Sequence, residues 1–316
     1  MEAGSAAPLS AGSGLVFRAG TGPVRGAKLI VPLAAVSITT LPSLAARLVE
    51  MSLLQFMHDV PLWLVAFIIG AAAELYAIGL MLLCRATFGV DRLSVNNEVA
   101  GFKFAVVGVL YAVLLAFVVI AVWEEFRDTE SAVRNEAKAA VDLHRVTHAL
   151  PVDGRDAIHK DLLTYLEDVR KYEWPSMALG KSSDIVAKDL DALSQTIFSV
   201  QPQDQRESAL YAHALRLLTG MTDNREERLD SANGSVPRIM WLVLIVGGLL
   251  TLGYPAFFGS SNVAAQVLMT GALAALVALS LLLGLALDYP FTGGVRISSA
   301  PFDEALQQMP KDWPPP

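Results

Sequence analysis

The sequence predicts an all-α membrane protein with four transmembrane helices in two hairpins and a helical cytoplasmic domain inserted between them. Three observations carry this. Of 316 residues, 53% are hydrophobic and only 17% charged, against about a quarter charged in soluble domains. Four stretches, roughly 60–84, 104–123, 236–258 and 263–287, stay apolar over the ~20 residues that a bilayer crossing needs. Between the second and third, residues 124–235 hold 21 acids against 14 bases. That stretch is too polar to span and long enough to fold, and it carries the net charge of -7.

Residues 1–50 contain "KLIVPLAAVSITTLPSLAA", with Arg18, Arg25 and Lys28 on its N-terminal side. This has the outline of a signal peptide. Against that, the leader is long, Pro32 and Pro42 interrupt the apolar run, and cleavage would put the middle domain outside the cell. The segment reads instead as a disordered Gly/Ser/Ala-rich extension, or as sequence ahead of a true start at Met51.

The first hairpin occupies residues 51–123. Its spans are joined by the polar "RATFGVDRLSVNNEVAGFK" of residues 85–103. The second hairpin, 236–288, turns at "GSSN". Residues 289–316 form a cytoplasmic tail that opens on "DYPFTGG", a turn in which Asp288 is expected to pair with a nearby base. With four spans, both termini and the middle domain share one side. That side has Arg47, Arg127, Arg134, Lys138, Arg216, Arg225, Arg228, Arg238 and Arg296 near it, and the other only Arg85, Arg92 and Lys103. The excess of Lys and Arg places it in the cytoplasm.

The middle domain, 124–235, begins as a continuation of the second span. "EEFRDTESAVRNEAKAAVDLHRVTHAL" lacks glycine and proline, which first return at Pro151, so the helix is expected to continue well into the cytoplasm. Asp153 can cap the next helix, whose face is Ile158, Leu162, Tyr165, Leu166, Val169 and Tyr172. "EWP" at 173–175 is expected to end it. A third helix over 183–199 shows Ile185, Leu190, Leu193 and Ile197. A fourth, after Pro202, shows Leu210, Ala214, Leu217, Leu218 and Met221.

Several separated motifs agree in order and spacing over residues 60–309: "LLAFVVIAVWEEFRDTESAVRNEAKAAVDLHR", "YLEDVRKYEWPSMALG", "ALRLLTGMTDNREERL" and "LDYPFTGGVRISSAPFDEAL". The chain resembles the bestrophin-like domain family of bacterial and plant membrane proteins, mostly of unassigned function. The resemblance implies a relation to bestrophins, pentameric ion channels, and so a homo-oligomer, a pentamer, in a lipid bilayer that passes inorganic ions. Their acidic calcium clasp has no counterpart in the sequence, so calcium gating does not carry over. The alternative is a non-conducting scaffold or envelope sensor whose cytoplasmic helices bind a partner.

Glu74 is the candidate that stands out, a lone carboxylate inside "IIGAAAELYAIGL". In hydrocarbon a carboxylate must face protein or water, or be protonated. Tyr111 and Thr270 should lie at its depth, within hydrogen-bonding reach. Gly70 shares its helix face. Gly101, Ala105, Gly108 and Ala112 give the second span a matching stripe of small residues for close helix packing. Glu124 and Glu125 stand where that span leaves the membrane, and in an oligomer they would ring the cytoplasmic mouth. Trp123 and Trp241 suit the interfacial belt.

Other classes find no support. His144 and His148 have a spacing that can bind a metal, but no third ligand is evident, so no metal or cofactor is expected. There is no phosphate loop, nucleophile elbow, zinc-protease helix or dinucleotide fingerprint, so an enzyme is not expected. The acidic balance argues against nucleic acid. Cys84, the single cysteine, excludes an intramolecular disulfide and reads as a small apolar residue.

Overall fold

The computed structural model describes residues 59–150 and 152–309. Residues 1–50, read above as an extension, lie outside that range. Every regular element in it is helical: α1 (Leu62–Phe88), α2 (Val90–Ser94), α3 (Asn97–Thr147), α4 (Val152–Asp168), a π-helical turn (Val169–Glu173), α5 (Trp174–Met177), α6 (Asp184–Ser199), α7 (Gln205–Ser231), α8 (Arg238–Gly253), a 3-10 turn (Tyr254–Phe257), α9 (Val263–Asp288) and α10 (Ala300–Gln308). Four of these, α1, α3, α9 and α8 with its 3-10 turn, are long and apolar enough to cross a membrane.

The 51-residue α3 is the spine of the molecule. At about 1.5 Å per residue it is roughly 75 Å long, so one rigid element joins the apolar and polar parts. Its buried side chains recur at Val118, Val122, Thr129, Val133, Glu136, Ala140, His144 and Thr147, a single helical face. Against its polar half packs α7, whose N-terminus is closed by two side-chain caps, a variant of the capping box in which the return bond goes to the residue before the cap. Asp204 Oδ1 accepts from the Glu207 N–H at 2.7 Å, and Glu207 Oε2 accepts from the Gln203 N–H at 2.7 Å.

The remaining helices largely keep their expected faces. Ile158, Leu162, Tyr165, Leu166 and Val169 are fully buried. The cap expected at Asp153 falls on a side chain outside the described residues. Two local readings are corrected, the first at the end of the helix over Val152–Asp168. Pro175 does not end it: the chain passes through the π turn and stays helical to Met177, with Pro175 in the first turn of α5, where its missing N–H is tolerated. In α6, Ile185 is exposed and its neighbour Val186 takes the core position.

Residues 289–309 are part of the core of the polar domain. Phe291, Ile297, Phe302, Ala305 and Met309 join its buried cluster, and Trp174 stacks edge-on against Phe291 and Phe302 at 5.4 and 5.7 Å between centroids. The bonds that Asp288 makes among the described residues are to neutral donors. Its carboxylate accepts from the Ser235 and Val236 N–H groups at 2.9 and 3.0 Å and from Trp241 Nε1 at 3.0 Å, so it fixes the entry to α8.

The turn between α1 and α3 is tied to the turn between α8 and α9. Asn97 pairs with Gly259 in both directions, at 2.6 and 2.9 Å, and Arg85 Nη1 donates to the Ser260 carbonyl at 2.5 Å. A Cβ at Gly259 would stand 2.4 Å from the Ser94 backbone nitrogen, a contact only glycine permits.

Candidate functional site

In the apolar part α1 buries Ala77, Met81 and Cys84 against α9 and the α8 turn. Glu74 sits on the flank of that face, half-buried, and forms no hydrogen bond or ion pair with any described residue. The expected bonds to Tyr111 and Thr270 are not made. Tyr111 is buried and donates to the Leu244 carbonyl at 3.2 Å. Its ring lies in a notch on α8 where a Cβ at Gly247 would come within 2.9 Å. Thr270 is buried beside Met81 Sδ at 3.8 Å. These two hydroxyls therefore serve helix packing, and Glu74 stands apart from them.

The small residues of α3 also behave differently from the expectation. Ala105 and Ala112 are exposed. A Cβ at Gly70 or Gly108 would meet nothing within 4 Å, and one at Gly101 only the edge of Phe258 at 3.9 Å. Among the glycines of the apolar part, close contacts fall on Gly247, Gly248, Gly253 and Gly259 instead. The stripe borders a lateral cleft of about 450 Å³, with Phe104, Gly108, Ala112, Leu115 and Thr251 among its walls.

At the other end of this segment Glu124 is exposed. Glu125 turns toward α7 and accepts from Ser231 Oγ at 3.0 Å. Burial, Asp128 and Glu125 together push the Glu227 carboxyl above its usual range. Carboxylates are thus concentrated at the junction of the apolar and polar parts.

The polar domain holds a buried ion network that the sequence reading did not assign. Arg228 on α7 is fully buried. Its Nε and Nη2 meet the Glu136 carboxylate at 2.7 and 2.9 Å, and Nη2 also meets Glu173 Oε2 at 2.8 Å. Arg225 closes on the other side of Glu173, with Nε 3.2 Å from Oε2 and Nη2 2.5 Å from Oε1. Tyr165 donates to Glu136 at 2.5 Å. Trp174 and Phe302 cover the Arg228 guanidinium, 5.7 and 5.6 Å from the ring centroids. Burial disfavours the charge on Arg228, but the adjacent Glu136 and Glu173 outweigh it and hold the guanidinium ionised. Two acids and two bases neutralise one another, which makes the burial tolerable. The π turn brings Glu173 into place, so α3, α7 and the α4–α5 segment are locked at one point.

The predicted pair His144 and His148 does acquire a third ring, His159 from α4, but no group of three His, Cys, Asp or Glu among the described residues is arranged to hold a metal.

The Bestrophin-like domain matches residues 71–302. Among solved structures, a mutant form of a bacterial bestrophin homologue from Klebsiella pneumoniae superposes with a TM-score of 0.59 at 16% identity, over 76% of this chain and 97% of that one. The same homologue solved by zinc phasing gives 0.58 at 16% identity, over 76% and 96%. A structure described as a membrane protein gives 0.58 at 16% identity, over 77% and 97%. No curated protein matches the sequence.

Proposed function

The chain belongs to the Bestrophin-like domain family, and from that premise we propose that it is a membrane protein whose copies surround an axis and pass ions. The observation that carries the reading is the outer face of α3 in its apolar half. Val106, Val109, Val113, Phe117 and Ile120 are exposed there, with Gly108 and Ala112 between them. A channel needs such a face of mid-sized apolar residues along its axis, free of packing within its own chain. In this arrangement Glu124 stands at the mouth, and the polar domain and both termini lie in the cytoplasm. On this reading the chain is not an enzyme. The acidic polar domain adds a negative field that concentrates cations and repels anions. Purified protein in planar bilayers under a KCl gradient is expected to reverse near the potassium potential. Reversal near the chloride potential would refute the cation preference. No current from well-assembled protein across pH and voltage would refute conduction.

One observation favours a non-conducting scaffold instead. A groove of about 580 Å³ runs between the polar half of α3 and α10, with Val133, Ala137, Val141 and Ala305 inside it and Arg134, Lys138 and Glu304 along it. A partner helix with an apolar stripe and charged edges suits such a surface.

A further inference from the structure

We propose that His159, His144 and His148 form an acid-sensitive latch that ties the distal end of α3 to α4. The three imidazoles run as a chain. His144 Nδ1 lies 3.1 Å from His159 Nδ1, and His144 Nε2 lies 3.3 Å from His148 Nε2. His144 and His159 are each only 4% exposed, whereas His148 is at the surface.

Proton counting makes the chain a switch. Each nitrogen–nitrogen contact holds one proton: with none, two lone pairs face each other, and with two, a pair of N–H groups collide. Three neutral rings satisfy both contacts and leave one proton on an outer nitrogen. One extra proton is also accommodated, with both His144 nitrogens donating and both outer nitrogens protonated. A second extra proton must enter an occupied contact and break it.

Burial opposes that first proton at two of the three rings, His144 and His148. Burial, then His159, His148 and Arg145, lower the His144 imidazole to about 4, and burial with Arg155 lowers His148. The charged groups around the chain come from each packed element. Arg145 on α3 bonds Asp142 at 3.1 Å and reaches Gln308 of α10 at 3.2 Å. On α4, Arg155 and Asp156 stand 3.5 Å apart. The sign follows from the depressed value. Below the ordinary histidine range, near 6.5, the unfolded chain takes up a proton that the folded chain refuses, so stability falls as pH drops from there toward 4. Because α3 runs unbroken from the apolar part to Thr147, opening the latch frees the far end of the spine. The inference concerns the polar domain and holds whether or not the chain conducts.

The test uses the full chain in detergent between pH 8 and 4.5. Thermal midpoints are measured for the wild type, His144→Gln and His148→Gln, together with hydrogen–deuterium exchange over residues 144–162 corrected for intrinsic rates. The wild type is expected to lose midpoint temperature below pH 6.5, with local opening of this segment rising by up to about tenfold per pH unit and titrating group. Both variants should lose less over the same range. Should His144→Gln fail to fold, the exposed position of His148 makes its variant decisive. Equal losses in the wild type and His148→Gln, or exchange in this segment that ignores pH, would overturn the latch.

Discussion

Arg228→Met is expected to remove about 3–5 kcal/mol of stability from the polar domain, the usual result of deleting one partner of a buried ion pair. The substitution keeps most of the volume under Trp174 and Phe302, so the loss isolates the charge. Glu173 retains Arg225, but Glu136 keeps only the Tyr165 hydroxyl at 2.5 Å and becomes an uncompensated buried carboxylate. Thermal unfolding and limited proteolysis of the purified protein read the loss. The double variant Glu136→Gln/Arg228→Met removes the stranded charge and should recover a large part of it. A single variant as stable as the wild type would mean that water reaches this point and that the three segments are held together elsewhere.

Glu74→Lys is expected to abolish assembly, while Glu74→Gln leaves it intact. Glu74 is half-buried among apolar neighbours and has no polar partner among the described residues, so in an assembled protein a second copy or enclosed water is expected to face it. Glutamine keeps the shape and the capacity to hydrogen-bond. Lysine places an ammonium group at mid-span, where insertion scales assign about 2.5–3.5 kcal/mol, and it sets that charge opposite groups suited to a carboxylate. Size-exclusion profiles in detergent distinguish the two variants. If lysine is tolerated as well as glutamine, Glu74 faces open water or lipid and takes no part in an interface.

The spans and the long second helix were legible because their signals are additive. Twenty apolar residues, or thirty without glycine or proline, outweigh any local ambiguity. The ion network was not read because charged residues on an amphipathic helix are ordinarily solvated. A signal for three of its four charged residues was nevertheless present. Ala214, Leu218 and Met221 repeat at helical spacing, and the next positions on that face are Arg225 and Arg228. Glu136 likewise lies between Val133 and Ala140 on the buried face of α3. Glu173 carries no such signal, because the π turn shifts the helical register just before it, and periodicity cannot anticipate a register shift. The small residues of α3 were legible as a stripe but not as to what they face. Spacing defines a face, and only the positions of the other helices show that little among the described residues covers it.

Native mass spectrometry of the detergent-solubilised protein tests the central claim, that several copies surround an axis, most directly. The account predicts one closed assembly of five 33.9 kDa chains, about 170 kDa. A chain that remains monomeric at 33.9 kDa under conditions where the polar domain is folded would contradict it, since a single copy has no axis for the exposed face of α3 to line.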